Sequence, residues 1–214
     1  TEVAKGASDM ILTDDNFGTI VSAVEEGRVI YANIRKVVSF LLSCNVGEIL
    51  VIFLTTMLFG PAFAPLFPVQ LLWLNLVTDS FPALALGRER AEEGIMQLPP
   101  RRKDERIVDR GMTWSIVLQA AAIFVTVFIA FNIGRYFYPD LMADGSLVTQ
   151  FSFMPQKGAQ PSWGAHTYAF VALIMSELFR VFSARSESQS VFHLGFFSNR
   201  TLNQAFGVSF LLTL

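Results

Sequence analysis

Long apolar runs separated by polar segments dominate the chain after its first 27 residues. A membrane-spanning helix needs about 20 mostly apolar residues, and four segments reach this length, at 38–59, 69–87, 112–136 and 166–184. A fifth apolar run, 202–214, is truncated by the end of the chain. The pattern therefore predicts a mainly α protein that is a polytopic transmembrane helical bundle.

The first 27 residues follow a different pattern. A short apolar piece at 10–12 is typical of a strand, and it precedes an Asp/Asn turn and a helical pattern. We interpret 1–27 as the end of a soluble α/β domain and 28–214 as the transmembrane part. The amphipathic pattern at 25–36 continues into the first apolar run without a breaker, which predicts one long helix that begins in water and ends in the bilayer. Because both ends of the chain look cut, we expect it to be a fragment of a longer protein.

The links between the apolar runs predict the topology. The first link, "GPAFAPLFP", is short, uncharged and rich in Pro, so the helices on either side should form an antiparallel hairpin. The link 137–165 contains one basic residue, Lys157, and by the positive-inside rule it lies on the far side of the membrane. The link 88–110 is predicted to be cytoplasmic because it carries seven basic residues: Arg88, Arg90, Arg101, Arg102, Lys103, Arg106 and Arg110.

Composition and charge narrow the class further. Of the 214 residues, 52% are hydrophobic and 16% are charged, which is too apolar for an ordinary soluble domain and fits an integral, multi-pass membrane protein. The net charge of -2 gives no reason to expect a nucleic-acid partner. The single cysteine, Cys44, excludes an internal disulfide framework and is interpreted as a small apolar residue.

A few polar side chains lie inside the predicted spans. An ionisable group at membrane depth costs several kcal/mol unless it is paired or hydrated, so each is a candidate functional residue. Residues three or four positions apart share a helix face, and in the hairpin these faces can meet near mid-membrane. No Lys, Arg or His is predicted at the depth of the carboxylates in the first two spans. The candidates are Asn45 and Glu48 in the first span, Asn75, Thr78 and Asp79 in the second, and Glu177 in the fourth.

Carboxylate, amide and hydroxyl oxygens in one small volume are hard ligands, which suit calcium far better than zinc or copper. Pro82 has no N–H, so the carbonyl of Thr78 loses its helical partner and becomes a further candidate ligand. Gly47, beside Glu48, permits a close approach or a pivot. Pro82 and Gly47 are therefore candidate helix breaks at a mid-membrane ion site.

Structural explanations remain open for single members of this set. Asn45 and Thr78 could form inter-helix hydrogen bonds, and Pro82 could simply kink its helix. Glu177 could form an ion pair with Arg180, one turn later. The whole set is more specific than any one of its members.

Several stretches together resemble a known family. "TEVAKGASDMILTDDNFGTIVSAVEEGR", "SCNVGEI", "LLWLNLVTDSFPALALG", the "PPR" loop and "SELFRVFSARSESQS" are similar to the carboxy-terminal part of P-type cation-transporting ATPases, in particular the calcium pump branch typified by the sarco/endoplasmic reticulum calcium ATPase. The resemblance covers nearly the whole chain and is weakest at 137–165. The pair "NVGE" and "NLVTD" is highly specific.

This resemblance implies that 1–27 is the end of the cytoplasmic phosphorylation domain, and that the helices are the family's fifth to eighth and the start of its ninth. In the family, the missing upstream part of the protein binds ATP and magnesium and carries the phosphorylated Asp, so the fragment alone should be inactive. Its expected partners are calcium ions, the lipid bilayer and that upstream part. Asp79 matches the residue that both ions of a two-ion site share. The positions of the calcium ligands match Asn45, Glu48, Asn75, Thr78, Asp79 and Glu177.

The transported ion and the type of protein have alternatives. Carboxylates that lose a cation inside a membrane take up protons, which predicts proton counter-transport. A pump for manganese, or for sodium and potassium, is the alternative within the family; Glu48 disfavours manganese and Asn75 disfavours sodium and potassium. A non-catalytic membrane helical module is the alternative outside it.

Overall fold

The computed structural model describes residues 2–13, 16–92, 94–100, 106–186, 192, 195 and 197–213. Within these ranges the chain is mostly helical, with one small antiparallel ribbon formed by β1 (Leu141–Met142) and β2 (Ala159–Gln160). Two short 3-10 helices, Pro61–Phe63 and Ile95–Gln97, lie in the links. The longer elements, in chain order, are α1 (Glu2–Ala7), α2 (Phe17–Phe59), α3 (Pro68–Trp73), a π-helix (Leu74–Asp79), α4 (Ser80–Leu86), α5 (Arg110–Phe137), α6 (Trp163–Ser183) and α7 (Arg200–Thr213).

Helix α2 is one unbroken helix of 43 residues. At 1.5 Å per residue it is about 65 Å long, twice the thickness of a bilayer core. It begins where the Asn16 side chain accepts a hydrogen bond from the Gly18 N–H at 2.9 Å. It ends at Gly60, whose positive φ of 95° a side chain would disfavour. The predicted long helix is confirmed, and it starts eight residues earlier than position 25.

The predicted strand at 10–12 is wrong, because the structure has no strand there among its described residues. A strand needs a neighbouring strand to satisfy its backbone N–H and C=O groups. The only strands in the described ranges are β1 and β2, which pair with each other. The apolar side chains of Met10 and Ile11 are correspondingly exposed.

Four helical segments are long and apolar enough to cross a membrane. Many of their large apolar side chains point outward, as lipid-facing side chains do; examples are Phe53, Leu76, Leu84, Val125 and Ile129. The chain is therefore a multi-pass integral membrane protein, as the sequence predicted. Helix α7, with 14 residues, is shorter than a full span. The four segments are Phe17–Phe59, Pro61–Leu86, Arg110–Phe137 and Trp163–Ser183.

Helix α5 packs between α2 and α6 through small residues. A Cβ on Gly134 would lie 2.8 Å from the Ala165 Cα, so the backbones of α5 and α6 meet there. A Cβ on Gly47 would lie 3.0 Å from Ile123 of α5. Large apolar side chains fill the space beside these contacts, among them Val127, Phe131, Leu173, Ile174 and Leu178. These approaches fix α6, which carries Glu177, against the bundle.

The link after α4 is fastened to the part of α2 that precedes the span. The Lys36 ammonium lies 2.8 Å from Glu92, and the Asn33 amide donates to the Glu89 carbonyl at 2.8 Å. The Arg28 guanidinium donates to the carbonyls of Ile95 and Leu98. Arg101, Arg102 and Lys103 of the same link lie outside the described residues. The long helix and this link therefore form one connected unit.

A buried ion pair holds the opposite end of the bundle. The Arg135 guanidinium lies 2.7 Å from the Asp140 carboxylate and also donates to the carbonyls of Ser152 and Phe153. The rings of Phe59 and Phe63 contact the guanidinium at 5.2 and 5.1 Å. This pair was not predicted from the sequence, because Arg135 lies inside an apolar run.

Candidate cation-binding site

The second span changes its helical geometry at the polar stretch "NLVTD". Residues 74–79 form a π-helix, in which each N–H bonds the carbonyl five residues earlier, between two α-helical segments. The Ser80 hydroxyl donates to the Asn75 carbonyl at 3.0 Å. The Ser209 hydroxyl of α7 donates to the Val77 carbonyl at 3.2 Å. The π-helix lies where the sequence predicted ion ligands, and short π-helical segments inside α-helices are frequent at functional sites.

Asn75 and Glu48 meet across the hairpin. The Asn75 amide donates to the two Glu48 carboxylate oxygens at 3.1 and 3.4 Å, and also to the Leu71 carbonyl at 2.9 Å. Glu48 is 6% exposed. The predicted convergence of the polar faces of the first two spans is therefore present for this pair.

Asp79 and Glu177 approach each other deep in the bundle. One carboxylate oxygen from each, together with the Cys44 Sγ, lies within 4.8 Å of the others. Asp79 is 1% exposed and Glu177 is fully buried. Neither carboxylate has a hydrogen-bond partner within the described ranges. Glu48 is near enough to Asp79 for their charges to interact.

Arg180 does not take the partner that the sequence allowed for it. Its guanidinium donates to the Phe40 carbonyl at 3.0 Å, the Gln119 side chain at 3.0 Å and the Cys44 Sγ at 3.6 Å, and it forms no ion pair with Glu177. Arg180 lies one turn after Glu177 on α6, and its side chain points at α2 and α5. The expectation that no basic residue lies at this depth is wrong, because Arg180 contacts the same cysteine that faces the carboxylates.

The other two predicted residues, Asn45 and Thr78, form hydrogen bonds within their own helices. The Asn45 amide donates to the Leu41 carbonyl at 2.8 Å, and the buried Thr78 hydroxyl donates to the Leu74 carbonyl at 2.7 Å. Neither forms the inter-helix hydrogen bond that was the structural alternative.

The two predicted helix breaks, Gly47 and Pro82, both lie inside α-helices in the structure. Helix α2 continues through Gly47, so the structure has no break there, and the close approach to Ile123 is what this glycine permits. Pro82 lies inside α4, after the π-helix, so the irregular geometry comes before the proline. A glycine alone does not interrupt a helix that is packed on both sides of it, as α2 is at Cys44 and Val51.

Three residues at the site were missed or misread by sequence reasoning. Cys44 was interpreted as a small apolar residue, but its sulfur faces Asp79 and Glu177. Gln119 of α5 accepts a hydrogen bond from Arg180, and Ser209 of α7 donates one to the π-helix backbone. For Cys44 a signal was available, since it lies one helical turn before Glu48. Gln119 and Ser209 lie on helices whose facing sides only the packing determines.

The carboxylate oxygens of Asp79 and Glu177 accept no hydrogen bond within the described ranges. A carboxylate buried without a partner is costly, and a cation or a proton relieves that cost. The structure brings together the Glu48 carboxylate and the Asn75 amide, and separately the Asp79 and Glu177 carboxylates. Calcium takes six to eight oxygen ligands of these kinds. Occupation of this position by a hard cation or by protons would relieve that cost.

Comparisons with known proteins show the family of the chain. The family model described as "Cation transporting ATPase, C-terminus" matches residues 63–214. The chain is 42% identical to "Calcium-transporting ATPase 1" of Bacillus cereus over 94% of its length and 22% of that protein. It is 41% identical to "Calcium-transporting ATPase" of Bacillus subtilis over its full length and 22% of that protein.

A plant protein shows the same relationship. The chain is 41% identical to "Calcium-transporting ATPase 2, endoplasmic reticulum-type" of Arabidopsis thaliana over 78% of its length and 16% of that protein. The chain thus spans about a fifth of the length of the curated relatives it matches. Because the family model covers well over half of the chain, the chain belongs to the cation-transporting ATPase family and represents its carboxy-terminal membrane domain.

Proposed function

We propose that this chain supplies the ion-binding helices of an ATP-driven P-type calcium pump. The observation that carries the proposal is the pair of buried carboxylates, Asp79 and Glu177, that have no hydrogen-bond partner within the described ranges. Two unpartnered carboxylates inside a membrane bundle are costly unless an ion or protons occupy the site. A role as ion ligands accounts for two such carboxylates at this depth.

Six residues are proposed to bind the calcium. Glu48 and Asn75 are linked by their hydrogen bonds, Asp79 and Glu177 face each other, and Thr78 lies in the π-helix beside Asp79. Asn45 lies one turn before Glu48 on α2. These residues come from α2, the π-helix and α6, so relative movement of the helices would change the number of oxygens that reach the ion. Calcium tolerates flexible geometry, which suits such a site.

The names of the relatives support calcium as the cargo. Bacterial and plant proteins that are similar along most of this chain are named calcium-transporting ATPases. The site carries the carboxylate of Glu48 and the amide of Asn75, the two features that disfavour manganese and sodium/potassium. ATP and magnesium would act in other parts of the protein.

Proton return follows from the same carboxylates. When calcium leaves, Glu48, Asp79 and Glu177 would remain close together in a poorly hydrated volume. Protons are the simplest replacement for the lost charge, because they neutralise each carboxylate where it lies. We therefore propose that protons move in the opposite direction.

Helix α2 is the proposed mechanical link. It is continuous from Phe17 to Phe59 and carries Asn45 and Glu48 in its second half, so a displacement at its first turns would be transmitted to these ligands. Inserting two glycines after Ile34 should uncouple ATP hydrolysis from transport, because a flexible point would absorb the displacement. Unchanged ions transported per ATP in the insertion variant would refute this coupling.

The test of the whole proposal uses the full-length protein in membranes. Phosphoenzyme formed from ATP would be measured with calcium, manganese, sodium and potassium, for the wild type and Asp79→Asn. Micromolar calcium should switch phosphorylation on, and Asp79→Asn should abolish the response. A response to another ion would overturn calcium as the cargo, and no phosphoenzyme with any ion would identify a non-catalytic module.

A further inference from the structure

A sulfur atom lies among the oxygen ligands of the site. The Cys44 Sγ is within 4.8 Å of carboxylate oxygens of both Asp79 and Glu177. Thiolate is a soft ligand that favours zinc, cadmium and related ions, and calcium does not use it. The proposed calcium ligands therefore do not account for this atom.

Two further side chains independently point to a ligand at this position. The carboxylates of Asp79 and Glu177 are almost completely buried and have no hydrogen-bond partner in the described part of the chain. Both are near the sulfur, although they come from different helices, the π-helix and α6. A lone buried cysteine would be ordinary, but a cysteine facing two unpartnered carboxylates is a ligand set.

The charges at this position favour a divalent cation, and the nearby Glu48 carboxylate adds to the negative charge of the ligands counted below. On metal binding the Cys44 S–H gives its proton to water as the metal–sulfur bond forms. The thiolate and the carboxylates of Asp79 and Glu177 then carry three negative charges, and Arg180, 3.6 Å from the sulfur, carries one positive charge. Two negative charges remain, which one divalent cation neutralises. The Arg180 hydrogen bond can remain on the thiolate.

The spacing requires only a small closure. Zinc bonds sulfur at about 2.3 Å and carboxylate oxygen at about 2.0–2.2 Å, so neighbouring ligands of a tetrahedral ion lie about 3.5 Å apart. The three atoms here are within 4.8 Å of one another, so a closure of about 1.3 Å is needed at most. Side-chain rotation of Asp79 and Glu177, which no hydrogen bond restrains, can supply it.

We propose that Cys44, Asp79 and Glu177 form a site for a thiophilic divalent cation, zinc or cadmium, which competes with calcium. The inference rests on the proposed function in one respect, since Asp79 and Glu177 serve both ions. Cys44 serves only the thiophilic ion. This chain therefore differs in its ion selectivity from a site built of oxygen ligands alone.

The experiment is cadmium binding to the purified full-length pump, followed by the ultraviolet charge-transfer absorption of cadmium–sulfur bonds. Wild type would be compared with Cys44→Ser and Cys44→Ala, and thermal unfolding would verify that each variant is folded. The difference between the wild-type and Cys44→Ser spectra should contain one cadmium–sulfur bond that calcium titrates away. Cadmium affinity should fall by at least about tenfold in both variants, since loss of even an outer-shell partner costs roughly 10–100-fold.

The outcomes separate this inference from the proposed function. Equal cadmium affinity and equal absorption in wild type and both variants would overturn the thiolate site. Glu177→Gln, which keeps the sulfur, provides a second test, and unchanged cadmium affinity in that variant would also overturn it. Radioactive calcium binding to the same wild-type preparation tests the proposed function separately. A cadmium–sulfur bond without calcium binding would support the inference and refute calcium as the cargo.

Discussion

Asn75 and Glu48, 27 positions apart in the chain, are joined by the amide of Asn75, which donates to both oxygens of the Glu48 carboxylate. The contact links α2 to the π-helix at the depth of the site. Asp79, in the same π-helix, has no such donor within the described ranges. The site therefore has one carboxylate with a hydrogen-bond donor and two without one in the described part of the chain.

Thr78→Val should weaken calcium binding by roughly tenfold, equivalent to about 1.4 kcal/mol. The substitution keeps the shape of the side chain and removes a proposed oxygen ligand. The matched control is Thr126→Val on α5, because each hydroxyl donates to the carbonyl four residues earlier, Leu74 for Thr78 and Ala122 for Thr126. Equilibrium binding of radioactive calcium to the full-length protein measures both. Equal affinities in the two variants would show that Thr78 is only a structural residue.

Gly134→Ala should destabilise the bundle by about 1–3 kcal/mol, because the new methyl group would overlap the backbone of α6. The added Cβ would lie 2.8 Å from the Ala165 Cα, and neither backbone can move alone. Gly207→Ala is the control, since open space surrounds Gly207 and alanine is the better helix former. Thermal unfolding in detergent should show a lower midpoint for the first variant only. Equal midpoints would mean that α5 and α6 do not approach as closely as described.

Breaking the Arg135–Asp140 pair on one side should cost more than removing both charges. Asp140→Ala leaves a buried guanidinium without its carboxylate and should destabilise the protein by about 3–5 kcal/mol. The double variant Arg135→Met, Asp140→Ala should recover part of that loss, because no unpaired charge remains. A double-mutant cycle in denaturant or by thermal unfolding measures the coupling. Strictly additive effects would contradict a buried, mutually dependent pair.

The Glu89 network should make stability depend on pH. Burial raises the pKa of Glu89, but hydrogen bonds from Arg185 and Asn199, with the charges of Arg185 and Lys36, lower it more, so the pKa lies below its ordinary 4.5. A pKa that is lower in the folded state gives stability that is complete above the unfolded value. That stability is lost as the pH falls through the folded value.

Wild type should therefore lose its advantage in unfolding temperature over Glu89→Gln as the pH falls from about 5 towards 3. Glu26→Gln, an exposed position on α2, is the control and should follow wild type throughout. Midpoints measured across this range test the prediction. A constant difference between wild type and Glu89→Gln would show that the carboxylate does not titrate with folding.

The spans were predictable because membrane helices follow from length and hydropathy. The ends of α5 and α6 lie within three residues of the predicted ends, and α2 was predicted as one long helix. The prediction of a strand at 10–12 was wrong because a strand depends on a partner strand that the local sequence does not specify. The direction of the membrane crossing stays a prediction.

The site was predictable as a set of residues but not in its contacts. Helical spacing and the hairpin led to Glu48 and Asn75, which the structure joins. Spacing places Arg180 one turn from Glu177 on the same helix. It could not show that the Arg180 side chain points at α2 instead, because side-chain direction depends on the packing of α6. The π-helix was also unpredictable, since its extra residue per turn is stabilised by contacts such as Ser209 to Val77.

Calcium binding to Asp79→Asn tests the central claim, that unpartnered buried carboxylates are the ion ligands. Radioactive calcium would be bound at equilibrium to the full-length protein, with Asp144→Asn, an exposed carboxylate on the link between α5 and α6, as the control. The account predicts that Asp79→Asn abolishes binding in the micromolar range and that Asp144→Asn binds like the wild type. Wild-type calcium affinity in Asp79→Asn would contradict it.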